Sequence, residues 1–459
     1  MGTGAYTPEE PIAAIATALS PAALGIVRVS GTACIERLCA VFSRPNALRQ
    51  AAGNSIVYGW LCNAGCRIDE VLVSVFRAPK SFTGEDMAEI SCHGGIAVVN
   101  AVYRLLLQNG FRAAQKGEFT FRAYINGKAD LTKAEAVKEI IDSRTGIAAE
   151  RAAGRLSGAL YARIDRIKRH IIDTLAAIEV EIEYPEDEQS IADSFEQGDL
   201  RRAADELRQL AQSWAVEKVY QDGARVVLCG RTNAGKSSLF NALLKEERAI
   251  VSDIEGTTRD WIESWVSFNG IPARLFDTAG LRASDDLVER QGVERSRDLA
   301  READIILYIA DRSCALHEDD RDFLQQERNG TPLVFVWNKC DMPLGQAQMP
   351  CGEPDAICAV SARTGAGIEA LCGAVHDILC LGSDTGREQA GLGSARQKAA
   401  VQDALGCVCH ALQSAEDNYS LDAVVQDLED ALDALGTVTG DVTPDDVLDS
   451  IFSHFCVGK

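Results

Sequence analysis

The sequence predicts a multidomain α+β protein: an N-terminal α/β domain, then a helical domain interrupted by an inserted α/β domain. Three observations predict it. Residues 222–382 alternate strand-like and helix-like patterns, which indicates a mostly parallel sheet covered by helices. An apolar ladder at helical spacing precedes that stretch, and helical patterning resumes from about 395. At 459 residues the chain suits roughly three domains.

Taken in order, residues 12–120 carry short β-like runs, "LGIVRVSG", "EVLVSVFRAP" and "MAEISCHGG", separated by modest helical stretches. Next, Leu156, Leu160, Ile164, Ile167, Ile171, Leu175, Ile178 and Ile182 step by three or four, predicting one apolar helix face that ends near Pro185. The inserted domain offers six strands: "ARVVLC", "WIESWVSFNG", "IPARLFD", "DIILYIAD", "PLVFVWN" and "AICAVS". Asn269-Gly270 is a two-residue hairpin signal joining the second and third of these, so one edge is expected to be antiparallel. A Gly/Ser-rich junction, "LGSDTGREQAGLGSARQK", leads back into helix. The expected domains are 1–123, 124–216, 217–384 and 385–459, the second and fourth being parts of one helical domain.

Composition is that of an ordinary globular protein, 46% hydrophobic and 25% charged, with no run of ~20 apolar residues and no secretion-type N-terminus. These features point to the cytoplasm and away from membranes. None of the fifteen cysteines forms a CxxC pair, and "CNAGC" and "CVCH" each lack a zinc quartet's other half, so reduced structural thiols are expected. A net charge of −22 argues against wholesale affinity for nucleic acid or anionic lipid. Residues 144–170 nevertheless hold a local excess of five positive charges, either a solvated helix face or a phosphate contact.

The chemistry lies in five ordered motifs. "GRTNAGKSS" follows a strand and opens a helix, as a P-loop must. Its glycines let backbone N–H groups surround phosphate oxygens, Lys236 supplies a point charge, and the Ser237 hydroxyl suits Mg²⁺. "GTTRD" offers Thr258 to the same metal, and "DTAG" places Asp277 for its water shell and Gly280 beside a γ-phosphate. In "NKCD", the Asp341 carboxylate can accept both the imino and amino protons of guanine while Asn338 meets the ring edge; adenine has no such donor pair. "SAR" can present a backbone N–H to the guanine oxygen. The expected GTP contacts are Asn233, Ala234, Gly235, Lys236, Ser237 and Ser238; Ser252, Asp253, Ile254, Glu255, Gly256, Thr257 and Thr258; Asp277, Thr278, Ala279 and Gly280; Asn338, Lys339 and Asp341; and Ser361, Ala362 and Arg363. The inserted domain is therefore expected to be a Ras-like GTPase domain.

One position departs from Ras-like proteins. Leu281 follows "DTAG" where they carry a water-orienting Gln, and no transition-state Arg stands out. A monovalent ion on the Asn233 side chain, with carbonyls at Ser252, Ile254 and Thr257, would supply the missing charge. For water activation, Asp285, Asp286 and Glu289 are equally available.

With "FTGED", "GEFT.RA..NGK.DLT.AEA" and the terminal "FC.GK", these motifs closely resemble the MnmE (TrmE) family of tRNA-modifying GTPases over nearly the whole chain. The resemblance implies an N-terminal domain that dimerises and binds a tetrahydrofolate one-carbon derivative, with Arg28, Glu89 and Lys128 at matching positions and Lys459 a fourth folate candidate. It selects Glu289 as the water-orienting residue and K⁺ as the ion at Asn233. It further implies a homodimer, a flavoprotein partner of the MnmG family bringing FAD, and a C5 modification of the wobble uridine of certain tRNAs. "TALSPAAL" (17–24) stands where the family usually has a Gly/Arg-rich turn. A ribosome-assembly GTPase is the alternative; it shares the nucleotide motifs but needs neither end of this chain.

Cys456 is the last reading. Val457, Gly458 and Lys459 do not make a prenylation box. A buried core thiol is the generic expectation. The Gly and Lys instead predict a flexible, solvent-reaching tail, and Lys459 with His454 would favour a thiolate. The resemblance puts Cys456 near the folate, where it is a possible catalytic residue.

Overall fold

The computed structural model describes residues 10–183, 197–246, 263–277, 303–325, 330–343, 345, 353–380, 391–417 and 420–458. It divides into two compact units: Met1–Lys138, Leu156–Leu207 and Ala399–Lys459 form one; Glu139–Arg155 and Arg208–Lys398 form the other. The 139–155 segment, expected with the helices, thus clusters with the inserted domain.

In the first unit, β1 (Ile12–Ile15), β2 (Leu24–Ser30), β3 (Ser55–Asn63), β4 (Cys66–Phe76), β5 (Met87–His93) and β6 (Arg112–Ala113) form one sheet in the order β3-β4-β5-β2-β1-β6. Alternation decides its faces: Val27 and Val29, Val71, Val73 and Val75, and Ala88 and Ile90 are buried beneath helix Ile96–Gln108. The sequence patterns pointed to β2, β4 and β5 but not to β1 or β3. The former is a four-residue apolar run, buried at all but Ile15, and short runs carry little periodicity.

The apolar ladder forms a helix that starts later than expected. Helix Gly146–Leu156 ends first, Gly158 adopts φ +95°, and the long helix is Ala159–Glu183. Leu156 therefore belongs to the preceding helix and is 38% exposed, while Leu160, Ile164, Ile167, Ile171 and Ile178 are fully buried. Their partner is helix Leu421–Thr439, capped at one end by Ser420 and stopped at the other by Gly440 at φ +95°.

In the second unit, β7 (Ala224–Cys229), β8 (Glu263–Phe268), β9 (Ile271–Asp277), β10 (Ile305–Asp311), β11 (Leu333–Asn338) and β12 (Ala356–Ala359) order as β12-β11-β10-β7-β9-β8. All pairs are parallel except β8–β9. Asn269 and Gly270 both take positive φ, +49° and +93°, as a primed turn requires. β7, β10 and β11 are apolar on both faces, the mark of a sheet buried between helices. Among the described residues, no helix is long and apolar enough to cross a membrane.

Candidate functional site

The carboxyl ends of the parallel strands are where such a sheet places ligands. β7 leads into "GRTNAGKSS". There Gly230 has φ +131°, and a Cβ would collide with Ile309 O; Gly235 has φ +96°, and a Cβ would collide with Asn338 Nδ2. These glycines let the loop curl into a cradle packed against β10 and Asn338, which no side chain would permit. Helix Lys236–Glu246 begins behind it with Ser237 and Ser238 exposed in its first turn. Lys236 is buried and donates to Gly230 O at 2.7 Å and Arg231 O at 2.8 Å, which holds the ammonium over the loop. Asn233 sits at φ +62°, a conformation asparagine tolerates, and is exposed. Ala234 is buried.

β11 delivers the base-reading side chains. Asn338 is 1% exposed; its Nδ2 donates to Ala234 O at 3.0 Å, and its Oδ1 accepts from Lys339 N and Ala362 N at 2.8 and 3.1 Å. One amide thus ties the P-loop to "NKCD" and "SAR". Ser361 Oγ donates to Asp341 Oδ1 at 2.7 Å, and Arg363 Nη2 pairs with Asp341 Oδ2, also at 2.7 Å. The Ser361 hydroxyl first, then the Arg363 and Lys339 cations, hold the Asp341 carboxyl below the ordinary aspartate range. Asp341 is thus kept ionised, as a guanine-reading carboxylate must be. Sequence reasoning named Ser361 and Arg363 for contacts to the nucleotide; it missed that both grip Asp341. Lys339, at φ +63°, ion-pairs with Asp311 at 2.6 Å.

β9 ends on Asp277, in register with Leu228 of β7. Ser252, Asp253, Ile254, Glu255, Gly256, Thr257, Thr258, Thr278, Ala279, Gly280, Asp285, Asp286, Glu289 and Lys459 lie outside the described residues.

A second constellation forms on the first unit's sheet. Arg28 and Glu89 are directly opposite on β2 and β5, and Arg28 donates to Glu89 Oε1 at 2.9 and 2.7 Å. The guanidinium carbon lies 5.6 Å from the Phe82 ring centre and 5.9 Å from that of Phe119. Both rings come from the motifs "FTGED" and "GEFT", which sequence reading had quoted without singling out either ring. Lys128 is exposed beside Gly84, and no described hydrogen bond or ion pair joins it to Arg28 or Glu89. Under this site, fully buried Arg122 pairs with Glu85 and Glu118, and Asn126 donates to Thr83 O, so the two motifs hold one another.

The chain end docks here. Phe452 and Phe455 pack with Phe121 and Tyr124, Gly117 N donates to Cys456 O at 3.4 Å, and Val457 bridges Lys116. Gly458, at φ +94°, accepts from Arg28 Nη1 at 3.1 Å. The expected flexible tail is therefore corrected: through Gly458 it is a docked segment, because the aromatic cluster and three backbone contacts fix it. Cys456 itself is exposed, and His454 Nδ1 lies 2.6 Å from Ser450 O.

The basic stretch resolves into structural contacts. Arg151 and Arg155 pair with Glu217, Arg144 lies over Trp265, Lys168 pairs with Asp441, Arg169 with Asp165, and Arg166 with Glu206. Arg151 and Arg155 pair in the interior, whereas Arg166 and Arg169 stay on the solvated face with their partners.

Comparisons with known proteins identify the family. The family model described as "MnmE helical domain" matches residues 131–456, and "GTP-binding protein TrmE N-terminus" matches 11–128. The chain is 51% identical to the tRNA modification GTPase MnmE of Treponema denticola over 474 residues, covering 100% of each chain. The chain belongs to the MnmE family. MnmE proteins of Treponema pallidum (strain Nichols), 42% identical with 99% of each chain covered, and of Carboxydothermus hydrogenoformans, 40% identical with 98% of this chain and 100% of that one, extend the match. This MnmE-family chain is accordingly a GTP hydrolase of tRNA modification. The glycine cradle, Lys236 and the exposed Ser237 at a helix start fit a Mg²⁺-bound triphosphate.

Proposed function

We propose that the protein is a K⁺-stimulated GTPase that works with an MnmG-type flavoprotein. Together they add an aminomethyl or carboxymethylaminomethyl group to C5 of the wobble uridine, position 34, of certain tRNAs. A tetrahydrofolate one-carbon unit supplies the carbon, and FAD is held by the partner. The observation that carries this reading is the chain end docked on Arg28, with Cys456 exposed two residues before the carbonyl that Arg28 grips. A ribosome-assembly switch has no need of it.

The roles divide among the segments 1–123 for folate and dimerisation, 124–216 with 385–459 for the helical domain, and 217–384 for GTP. Arg28, Glu89, Lys128 and Lys459 hold the folate, cations meeting its anionic tail and the carboxylate its pterin. Apolar Ile56, Tyr58, Leu72 and Leu24 are exposed on strands of the same sheet, which supports a homodimer through that domain. On the nucleotide side, Lys236 and the backbone of Asn233–Ser238 meet the phosphates, Ser237 and Thr258 hold Mg²⁺, and Asn338 and Asp341 read guanine. When bound, Mg²⁺ neutralises charge on the phosphates. Asn233, Ser252, Ile254 and Thr257 would hold K⁺, which would supply positive charge beside the phosphates where two G domains meet, and Glu289 would orient the water.

Mass spectrometry of wobble nucleosides tests the reading. A strain lacking the gene is expected to lose the C5-aminomethyl family; wild type restores it, and Cys456→Ser fails to do so while still hydrolysing GTP. Unchanged nucleosides in the deletion would instead favour ribosome assembly. Turnover tests the ion: K⁺ replaced by Na⁺ at equal ionic strength is expected to slow hydrolysis, and Glu289→Ala to abolish it with GTP affinity kept. Equal rates in the two salts would remove the ion from Asn233.

A further inference from the structure

The β8–β9 hairpin joins two parts of the nucleotide machinery by its open end. β8 begins three residues after Asp260 of "GTTRD", and β9 finishes on Asp277 of "DTAG". Its closed end is gripped by a segment outside the sheet. Thr145 Oγ1 donates to Gly270 O at 2.7 Å, and a Cβ on Gly270 would collide with Ile147. Arg144 stacks 4.0 Å from the Trp265 ring centre, with Arg274 at 4.9 Å.

These gripping residues open helix Gly146–Leu156, and the far end of that helix is clamped elsewhere. Arg151 Nη1 and Arg155 Nη1 bond the two carboxylate oxygens of Glu217 at 2.7 and 2.8 Å, and Arg155 also pairs with Glu139 at 2.6 Å. Arg155 is 1% and Glu217 3% exposed. Opening so buried a pair would strand a charge out of water, so this end of the helix is tied more firmly than the Thr145 end, which rests on one hydrogen bond and packing. Glu217 lies on helix Gly198–Asp222, which carries the chain through Gly223 into β7. A cavity of about 780 Å³ bounded by Arg144, Gln221, Gly223, Trp265 and Arg274 leaves room for movement at the latch.

We propose that helix Gly146–Leu156 is an output element of the GTPase cycle, sensing the hairpin through Thr145 and Gly270 and passing its displacement to helix Gly198–Asp222 through Arg155 and Glu217. The proposal rests on the GTPase activity alone and is independent of folate, K⁺ or partner.

Hydrogen exchange on the full chain tests it, comparing the nucleotide-free, GDP and non-hydrolysable GTP-analogue states. Amides of 146–156 are expected to differ severalfold in exchange rate between the GDP and GTP-analogue states. Thr145→Val removes the donor at nearly constant shape; it is expected to abolish that difference while nucleotide affinity and Tm stay near wild type. Thr145→Ser, which keeps the hydroxyl, is expected to restore it. Exchange in wild-type 146–156 that ignores the nucleotide overturns the proposal. So does a difference that survives Thr145→Val, or one that Thr145→Ser fails to restore.

Discussion

Asn338, at the carboxyl end of β11, reaches Ala234 in the loop after β7 of the same mostly parallel sheet, whereas Arg28 meets Glu89 across paired strands and Gly458 from 430 residues away. The two sites differ in how far the chain must travel to build them. Around the nucleotide, each function is carried by three to nine consecutive residues at a strand end, and the fold has only to set those ends side by side. Around Arg28 no stretch is sufficient: β2, β5, two motif phenylalanines and the terminus each contribute one group. Local sites survive as readable words; distributed ones survive as scattered charges.

The sharpest way to break the contrast lies at Asp341. If one short motif really specifies the base, Asp341→Asn should reverse specificity without disturbing the phosphate cradle. The asparagine can still accept from N–H but now offers an amide donor, which matches the second carbonyl of xanthine. Sites built to hydrogen-bond a substrate reject the wrong analogue by roughly 10⁴-fold, so GTP affinity should fall steeply and XTP affinity rise. Competition binding with the two triphosphates measures it. Retained GTP selectivity would mean the motif does not act locally.

The sequence made the second unit legible for the same reason. The six strands of residues 224–359 were visible as apolar runs, and Asn269-Gly270 marked the antiparallel edge, because a primed turn demands positive φ at both residues. In the first unit β1 and β3 went unseen: β1 is too short to show a period, and β3 alternates in burial but not in polarity, since Ile56 and Tyr58 face outward. Likewise Leu156 continued the spacing of the ladder while lying on another helix, since periodicity does not register the break at Gly158. Thr145 carries no motif at all, and its hydrogen bond to Gly270 spans 125 residues.

A middle-sized effect is expected at Arg28. With its charge removed in Arg28→Gln, an anionic reduced folate loses a charge-assisted contact of about 1.5–3 kcal/mol, or roughly 10- to 150-fold in affinity. GTP hydrolysis should stay near wild type. Titration calorimetry with a reduced folate separates the outcomes. Unchanged affinity would leave the Arg28–Glu89 pair as a plain cross-strand ion pair, and the distributed site would lose its centre.

The smallest expected effect concerns Gly458, where the distributed site closes. Its φ of +94° belongs to the region that L side chains avoid, and a Cβ would stand 2.8 Å from Ile15 O. Gly458→Ala should therefore cost the docked terminus about 1–2 kcal/mol, while the body of the unit, buried elsewhere, keeps its Tm. Local opening would then rise about 5- to 30-fold, read as faster amide exchange at Gly117, whose N–H donates to Cys456 O across the bridge that pins the segment. An unchanged rate at Gly117 would show that Phe452 and Phe455 alone hold the terminus. The Arg28 contact to Gly458 would then follow from docking and not cause it, and Arg28→Gln should leave Gly117 exchange unmoved as well.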